Sequence, residues 1–172
     1  SMGFGGGFVA GETGVTLNNR IGRGFSLVDG HPNVIEPGKR TMHTLNAYMV
    51  FKNDKPYLVG ATPGGDRQIA WNAQVISNVI DHGLDPQEAV EAPRWTSTPS
   101  TDPANIDDPF VLELEGGMEI EEVAKLKAKG HEVDVQETGG YGGSVKLIMI
   151  DPETGVRISG SDPRTDGHAA VV

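Results

Sequence analysis

The spacing of apolar and polar positions changes several times along the chain, and each change marks an element. Ile69, Ala73, Ile76 and Ile80 recur at helical spacing, and Val75 and Val79 widen the stripe. This predicts a helix from about Asp66, with Asp66 as its N-cap and Gly83 just past its end. Upstream, the apolar runs 47–51 and 57–61 flank "KNDK", the pattern of a β-hairpin. Downstream, Asp85 precedes a short helix over 86–91 with Pro86 in the first position. Residues 94–96 and 110–114 read as strands separated by a polar, Pro-containing loop. "MEIEEVAKLKAKG" carries Glu119, Glu121 and Glu122 early and Lys125, Lys127 and Lys129 late, which suits the helix dipole, and Gly130 ends it. A short strand at 133–135 and a hairpin of 145–150 with 156–159 around "DPETG" complete the pattern.

The N-terminal part has a different character. Residues 8–10 and 15–17 are short apolar runs joined by Gly11-Glu12-Thr13-Gly14, a turn. Residues 22–40 are rich in Gly and Pro and lack periodicity, so they read as a long surface loop, a type of segment that often carries function. Hairpins and helices therefore alternate without an internal repeat, a low-complexity tract or a break that marks a domain boundary.

Composition narrows the functional classes. A chain of 172 residues fits one domain with a real core, and 24 glycines and 11 prolines imply many turns. A formal net charge of −10 argues against nucleic acid and anionic membrane surfaces as partners. No apolar run approaches the ~20 residues of a membrane span. The lack of cysteine excludes disulfides, thiolate metal sites and a cysteine nucleophile, and fits a reducing compartment such as the cytoplasm. The five histidines show no metal-ligand spacing, so no metal is expected. Gly5-x-Gly7-x-x-Ala10 formally fits a dinucleotide fingerprint, but the residues after it read as strand where a helix is required; no cofactor is expected.

Two stretches keep a chemical reading. Gly64-Gly65, between a strand and a helix, can turn bare backbone N–H groups outward to hold an anion or a developing oxyanion; the same pair also suits a plain tight turn. "PGKRTMHTL" sets polar side chains just before an apolar strand, and by itself reads equally as a loop entering that strand. Asp162 and Arg164 in "SDPR" read as a structural ion pair or turn.

Taken in order, "FGGGFVAGETGVTLNN", "PGKRTMHTL", "TPGGDRQ", "GLDPQEAVEAPRW" and "SDPRTDG" resemble the small subunit of gamma-glutamyltranspeptidase and its acylase-like relatives, over nearly the whole chain. These are N-terminal-nucleophile hydrolases, in which a precursor cuts itself and the new N-terminal Thr serves as nucleophile and base. The resemblance implies an α+β fold, a four-layer α-β-β-α sandwich shared with the large subunit of the same precursor and incomplete in this chain. The expected partners are that large subunit and a small-molecule amide substrate, with self-association a further possibility for the chain alone.

Residue by residue, the resemblance implies that Gly64 and Gly65 form the oxyanion hole. It places the nucleophilic Thr roughly twenty residues before Ser1, outside this chain, so the chain alone is expected to be inactive. Ser1 itself aligns within the substrate-binding stretch, and its use as nucleophile is the minor alternative. The substrate-binding positions map onto Asn19, Arg20, His43 and Thr44. Here the sequence departs from the transpeptidase pattern. The adjacent serines that hold the substrate carboxylate are replaced by His43 and Thr44. The Gln and Asp that grip the α-amino group are replaced by Arg20, with Arg23 near the Asp position. Losing an acid and gaining cations suits an acyl group that ends in a carboxylate and has no amine. This resembles the cephalosporin acylase-like and oxamate-hydrolysing branch. The reading is therefore an amidohydrolase or acyltransferase subunit, with a non-catalytic structural or binding module of the same fold as the alternative.

Overall fold

The computed structural model describes residues 5–99, 107–139 and 143–170. They fall into two compact units, one ending at Thr44 and the other beginning at Leu45.

In the first unit the turn at 11–14 closes a small hairpin. The Ala10 amide donates to the Val15 carbonyl at 2.9 Å and the Leu17 amide to the Phe8 carbonyl at 2.8 Å. The loop expected over 22–40 is more structured than its composition suggests. It opens with a single helical turn, α1 (Ile21–Gly24), and a parallel bridge then joins Ser26 to Val34. Gly24 is buried directly against Thr41 and the Met42 carbonyl, where any side chain would collide. That close approach folds the loop back on itself.

The second unit holds two sheets. Strands β1 (Tyr48–Lys52), β2 (Lys55–Ala61), β6 (Lys146–Ile150) and β7 (Arg157–Ser161) form an antiparallel sheet in the order β1-β2-β6-β7. The first hairpin turns through Asn53 and Asp54, both at positive φ, which allows a two-residue connection tighter than the four residues of "KNDK". Strands β3 (Trp95–Thr98), β4 (Val111–Leu114) and β5 (Glu132–Val135) form the second sheet. β3 and β4 are antiparallel, and β4 and β5 are parallel through the crossover helix α4 (Ile120–Ala128). The architecture is α+β, as expected.

Helices α2 (Gln68–Ile80) and α3 (Pro86–Glu91) cover one face of the four-stranded sheet, and the core of Leu58, Val75, Val79, Ala89, Val90, Val145 and Leu147 lies between them. The capping expectation for α3 is met in full: the Asp85 carboxylate accepts from the Gln87 and Glu88 amides at 2.8 and 2.9 Å, and Glu88 accepts from the Asp85 amide at 3.0 Å. Two expectations for α2 need correction. Asp66 does not cap it, because a 3-10 turn over Gly65–Arg67 intervenes and Arg67 is the residue before the helix. Its buried face is Gln68, Trp71, Asn72, Val75 and Val79, whereas Ile69, at 69% exposure, Ala73 and Ile80 point away from the core. The helix has two apolar sides, and only one is used within this unit. Of the polar members of the buried side, Asn72 donates through its side-chain amide to the Asn46 carbonyl at 2.6 Å.

A buried ionic network ties the ends of both sheets together. Arg94, at 1% exposure, lies 2.9 Å from the Asp162 carboxylate. Arg164 bonds Asp162 at 3.0 Å and pairs with Glu115, which also accepts from the Arg94 amide at 3.0 Å. Asp162 further accepts from the Val145 amide at 3.1 Å. Burial works to raise the Asp162 pKa, but the Arg164 and Val145 amides and the Arg94 charge outweigh it and hold the carboxyl below its ordinary range. The structural reading of Asp162 and Arg164 is thus correct and covers half of the assembly.

Candidate active site

The chain leaves β2 at Ala61 and turns through Thr62-Pro63-Gly64-Gly65 into α2. Gly64 adopts φ 149°, ψ 9°, and Gly65 adopts φ 61°, backbone that side-chain-bearing residues rarely take. The Gly64 carbonyl accepts from the Arg67 amide at 3.2 Å. Among the described residues, neither the Gly64 nor the Gly65 amide donates a hydrogen bond. Gly64 is half-buried and Gly65 is exposed, and a Cβ on Gly65 would meet nothing within 4 Å. Among the described residues, two adjacent N–H donors are thus without an acceptor, at a turn that leads through a 3-10 turn into α2. That arrangement supplies what a developing oxyanion needs: fixed dipoles that do not reorganise as charge forms.

Asn19, Arg20, His43 and Thr44 all lie in the first unit. Arg20 directly precedes α1, and its Nε donates to the Met42 carbonyl at 2.9 Å. Its own amide is held by the Asn18 side chain at 2.9 Å. The structure therefore brings Arg20 to Met42, 22 positions away in sequence and next to His43 and Thr44 in the chain. Asn19 donates to the Gly5 carbonyl at 3.2 Å, which fastens the hairpin to the start of α1. His43 is exposed and Thr44 half-buried. Ser1 and Phe4 lie outside the described residues.

Sequence reasoning did not find the support beneath the glycine turn. Trp71 is buried directly behind Gly64, and the Arg94 guanidinium lies 5.0 Å from the centre of its ring. Helical periodicity marks Trp71 only as one apolar residue among many, and Arg94 sits more than twenty positions further on.

The sequence matches the gamma-glutamyltranspeptidase family profile over residues 1–172. It is 38% identical over 169 residues to the glutathione hydrolase-like YwrD proenzyme of Bacillus subtilis, covering 96% of this chain and 31% of that protein. It is 33% identical over 175 residues to the oxamate amidohydrolase proenzyme of Klebsiella pneumoniae, covering 97% of this chain and 31% of that protein. Among solved structures, the cephalosporin acylase from Bacillus halodurans superposes with a TM-score of 0.84 at 38% identity, covering 98% of this chain and 30% of that one. A Helicobacter pylori gamma-glutamyltranspeptidase mutant superposes with a TM-score of 0.78 at 31% identity, covering 95% of this chain and 89% of that one. The fold is that of the N-terminal-nucleophile hydrolases. Within that class, the chain belongs to the gamma-glutamyltranspeptidase family, whose members include glutathione hydrolases and acylases. It spans about a third of the length of the curated relatives it matches. Among the described residues, no helix is long and apolar enough to cross a membrane.

Proposed function

We propose that this chain is the small-subunit portion of a two-chain amidohydrolase or acyltransferase that works through an acyl-enzyme on an N-terminal Thr lying upstream of Ser1. The observation that carries the reading is the Gly64-Gly65 turn, whose two amides donate no hydrogen bond among the described residues. In the reaction, the Thr hydroxyl attacks the substrate amide carbonyl and its proton passes to the Thr α-amine, whose pKa near ~8 makes it a base at neutral pH. The carbonyl oxygen takes up negative charge against the Gly64 and Gly65 amides. Collapse of the tetrahedral adduct expels the protonated amine and leaves an ester on Thr. Water or a second amine then attacks that ester through the same oxyanion site and frees the enzyme.

For the acyl group we propose a chain that ends in a carboxylate and lacks an α-amine. Arg20 offers guanidinium donors and no acceptor, so it suits a carboxylate and cannot hold an ammonium, and His43 can add a ring N–H donor. The chain's similarity to an oxamate amidohydrolase and a cephalosporin acylase favours the same choice.

The partner in this reading is the large subunit of the same precursor. Two apolar surfaces support it. Met49, Val59 and Ile148 align across three strands on the sheet face opposite the core, with Met49 half exposed, and α2 presents Ile69, Ala73 and Ile80 outward. The 172-residue chain alone is then inactive and self-associates through those surfaces.

The test is to express the full-length precursor and compare release of aniline from glutaryl and γ-glutamyl anilides. The reading expects self-cleavage into two chains and preference for the glutaryl substrate. Preference for the γ-glutamyl donor would overturn the acyl-group assignment, and absence of turnover on both after cleavage would overturn the enzyme reading.

A further inference from the structure

We propose that Trp71 is a positioning residue for the oxyanion turn: its buried indole is the surface against which the Gly64 backbone is set. The inference rests on the reading that the Gly64 and Gly65 amides hold the oxyanion.

The argument starts from shape. A Cβ placed on Gly64 would lie 2.5 Å from Cζ3 of Trp71, so the Gly64 backbone is flush against the six-membered edge of the ring. A Cβ on Gly143 would meet the same Cζ3, also at 2.5 Å. Two glycine backbones from distant parts of the chain therefore press on one ring edge, and no other residue type fits at either place. Gly64 has positive φ as well, backbone that glycine takes readily and a side-chain-bearing residue rarely does, so the path of the turn depends on glycine there.

The ring itself cannot move independently. It is 1% exposed, and the Arg94 guanidinium covers it at 5.0 Å from the centroid. Arg94 is fixed by Asp162 at 2.9 Å, and Asp162 accepts the Val145 amide at 3.1 Å. That bond returns to the segment carrying Gly143. From there the Ser144 amide donates to the Thr62 hydroxyl at 3.2 Å, and that hydroxyl donates to the Pro63 carbonyl at 2.7 Å. The path closes on itself: from Gly64 to Trp71, Arg94, Asp162, the 143–145 segment, Thr62, Pro63 and back to Gly64. A residue serving only to fill the core needs no such circuit. One that sets the aim of two N–H groups does, because oxyanion stabilisation depends on donors standing at hydrogen-bond distance from where the charge will form. Trp71 is 1% exposed and packs against the back of the turn, so in this reading it acts through the turn.

The test uses the processed enzyme of which this chain is a part, with active sites counted by acyl-enzyme burst, and compares a glutaryl anilide with its thioanilide. Sulfur in place of the carbonyl oxygen accepts hydrogen bonds poorly, so the ratio of kcat for the two substrates reads the quality of the oxyanion site. In the unaltered enzyme the oxo substrate is expected to be faster by about a hundredfold or more, the scale of losing one oxyanion donor. Trp71→Leu should lower kcat on the oxo substrate by roughly 10–100-fold, the scale of a sub-ångström misplacement, with KM changed less than about threefold. It should also shrink the oxo-to-thio ratio. Trp71→Phe keeps an aromatic edge and should fall between the two; it also serves if Trp71→Leu does not fold. Unchanged kcat per active site and an unchanged ratio in both variants would overturn the proposal while leaving the oxyanion reading intact. An unaltered enzyme that does not discriminate oxo from thio would remove that reading, and the proposal with it.

Discussion

Replacing Asp162 by Asn tests the buried ionic network directly. The two side chains have nearly the same shape, but both Asp162 oxygens accept, Oδ2 from the Val145 amide and Oδ1 from the Arg164 amide and guanidinium, so the replacement removes the charge and also turns one acceptor into a donor. Arg94 is 1% exposed and lies 2.9 Å from the Asp162 carboxylate, so water cannot take the place of that partner. At an effective dielectric of about 20, that separation corresponds to a gross attraction of about 6 kcal/mol. Part of it offsets the cost of desolvating both ions. Removing one partner loses the attraction while the desolvation of Arg94 remains, and the general cost is about 3–5 kcal/mol. Glu115 pairs with Arg164 and compensates Arg94 only in part. A loss in that range is a large share of the ~5–15 kcal/mol that holds a typical domain together. Urea unfolding of the assembled enzyme gives the value, with Lys125→Met as the control, because the Glu122–Lys125 pair is well exposed on α4 and should be worth under about 1 kcal/mol. The sign with pH follows from the depressed Asp162 pKa. Its contribution is full above the ordinary carboxylate value, about 3.9, and is lost as pH falls through the lower folded value. The Asp162→Asn variant should lack that acid-side loss. A destabilisation no larger than that of the control would refute the reasoning.

Other expectations are smaller or more local. Arg20→Lys should weaken processing of a carboxylate-ended acyl amide and Arg20→Ala should weaken it further, by about ten- to a hundredfold in kcat/KM for a lost charge-assisted bond; an equal effect on a neutral acyl amide would contradict this. The Tyr48 hydroxyl is buried with no hydrogen-bond partner among the described residues, and burial pushes its pKa up to about 12. Tyr48→Phe should therefore leave stability unchanged or raise it by up to ~1 kcal/mol in urea unfolding, and a loss above that would reveal an unseen partner. Asp85→Ala removes the capping box of α3 and should cost about 0.5–2 kcal/mol by the same measurement, while no cost would show that packing alone fixes that helix.

The elements were legible because their signals are local. Asp85-Pro86 with Glu88 three positions after the cap announces α3, and the charge gradient of α4 announces that helix. The buried side of α2 was not legible, for a physical reason. The helix carries one apolar stripe through Trp71, Val75 and Val79 and another through Ile69, Ala73 and Ile80, and periodicity cannot tell which of them meets the sheet. Asn72 and Gln68 lie in the buried stripe as polar residues, which further hides it. The short α1 is not legible because Gly22 and Gly24 are poor helix formers, and what favours the turn includes tertiary contacts: the close approach of Gly24 to Thr41 and the bond from Arg20 Nε to the Met42 carbonyl. The ionic network draws on Arg94, Glu115, Asp162 and Arg164, from distant parts of the chain, so only its local pair, Asp162 with Arg164, could be read from the sequence. The same holds for Trp71 behind Gly64. The glycine pair is visible in "TPGGDRQ", but what gives it a fixed shape comes from separate segments brought together by folding.

Chemical trapping of the acyl-enzyme bears most directly on the central claim that this chain belongs to an N-terminal-Thr acyl-transfer enzyme. The full-length precursor would be expressed and allowed to process. It would then be mixed with a glutaryl anilide, quenched in acid and mapped by peptide mass spectrometry. The account predicts a glutaryl ester on the new N-terminal Thr of the chain that contains residues 1–172, with the adduct reduced when Trp71 is replaced by Leu. An adduct on Ser1 or on any other side chain, or turnover with no N-terminal Thr generated, would contradict it.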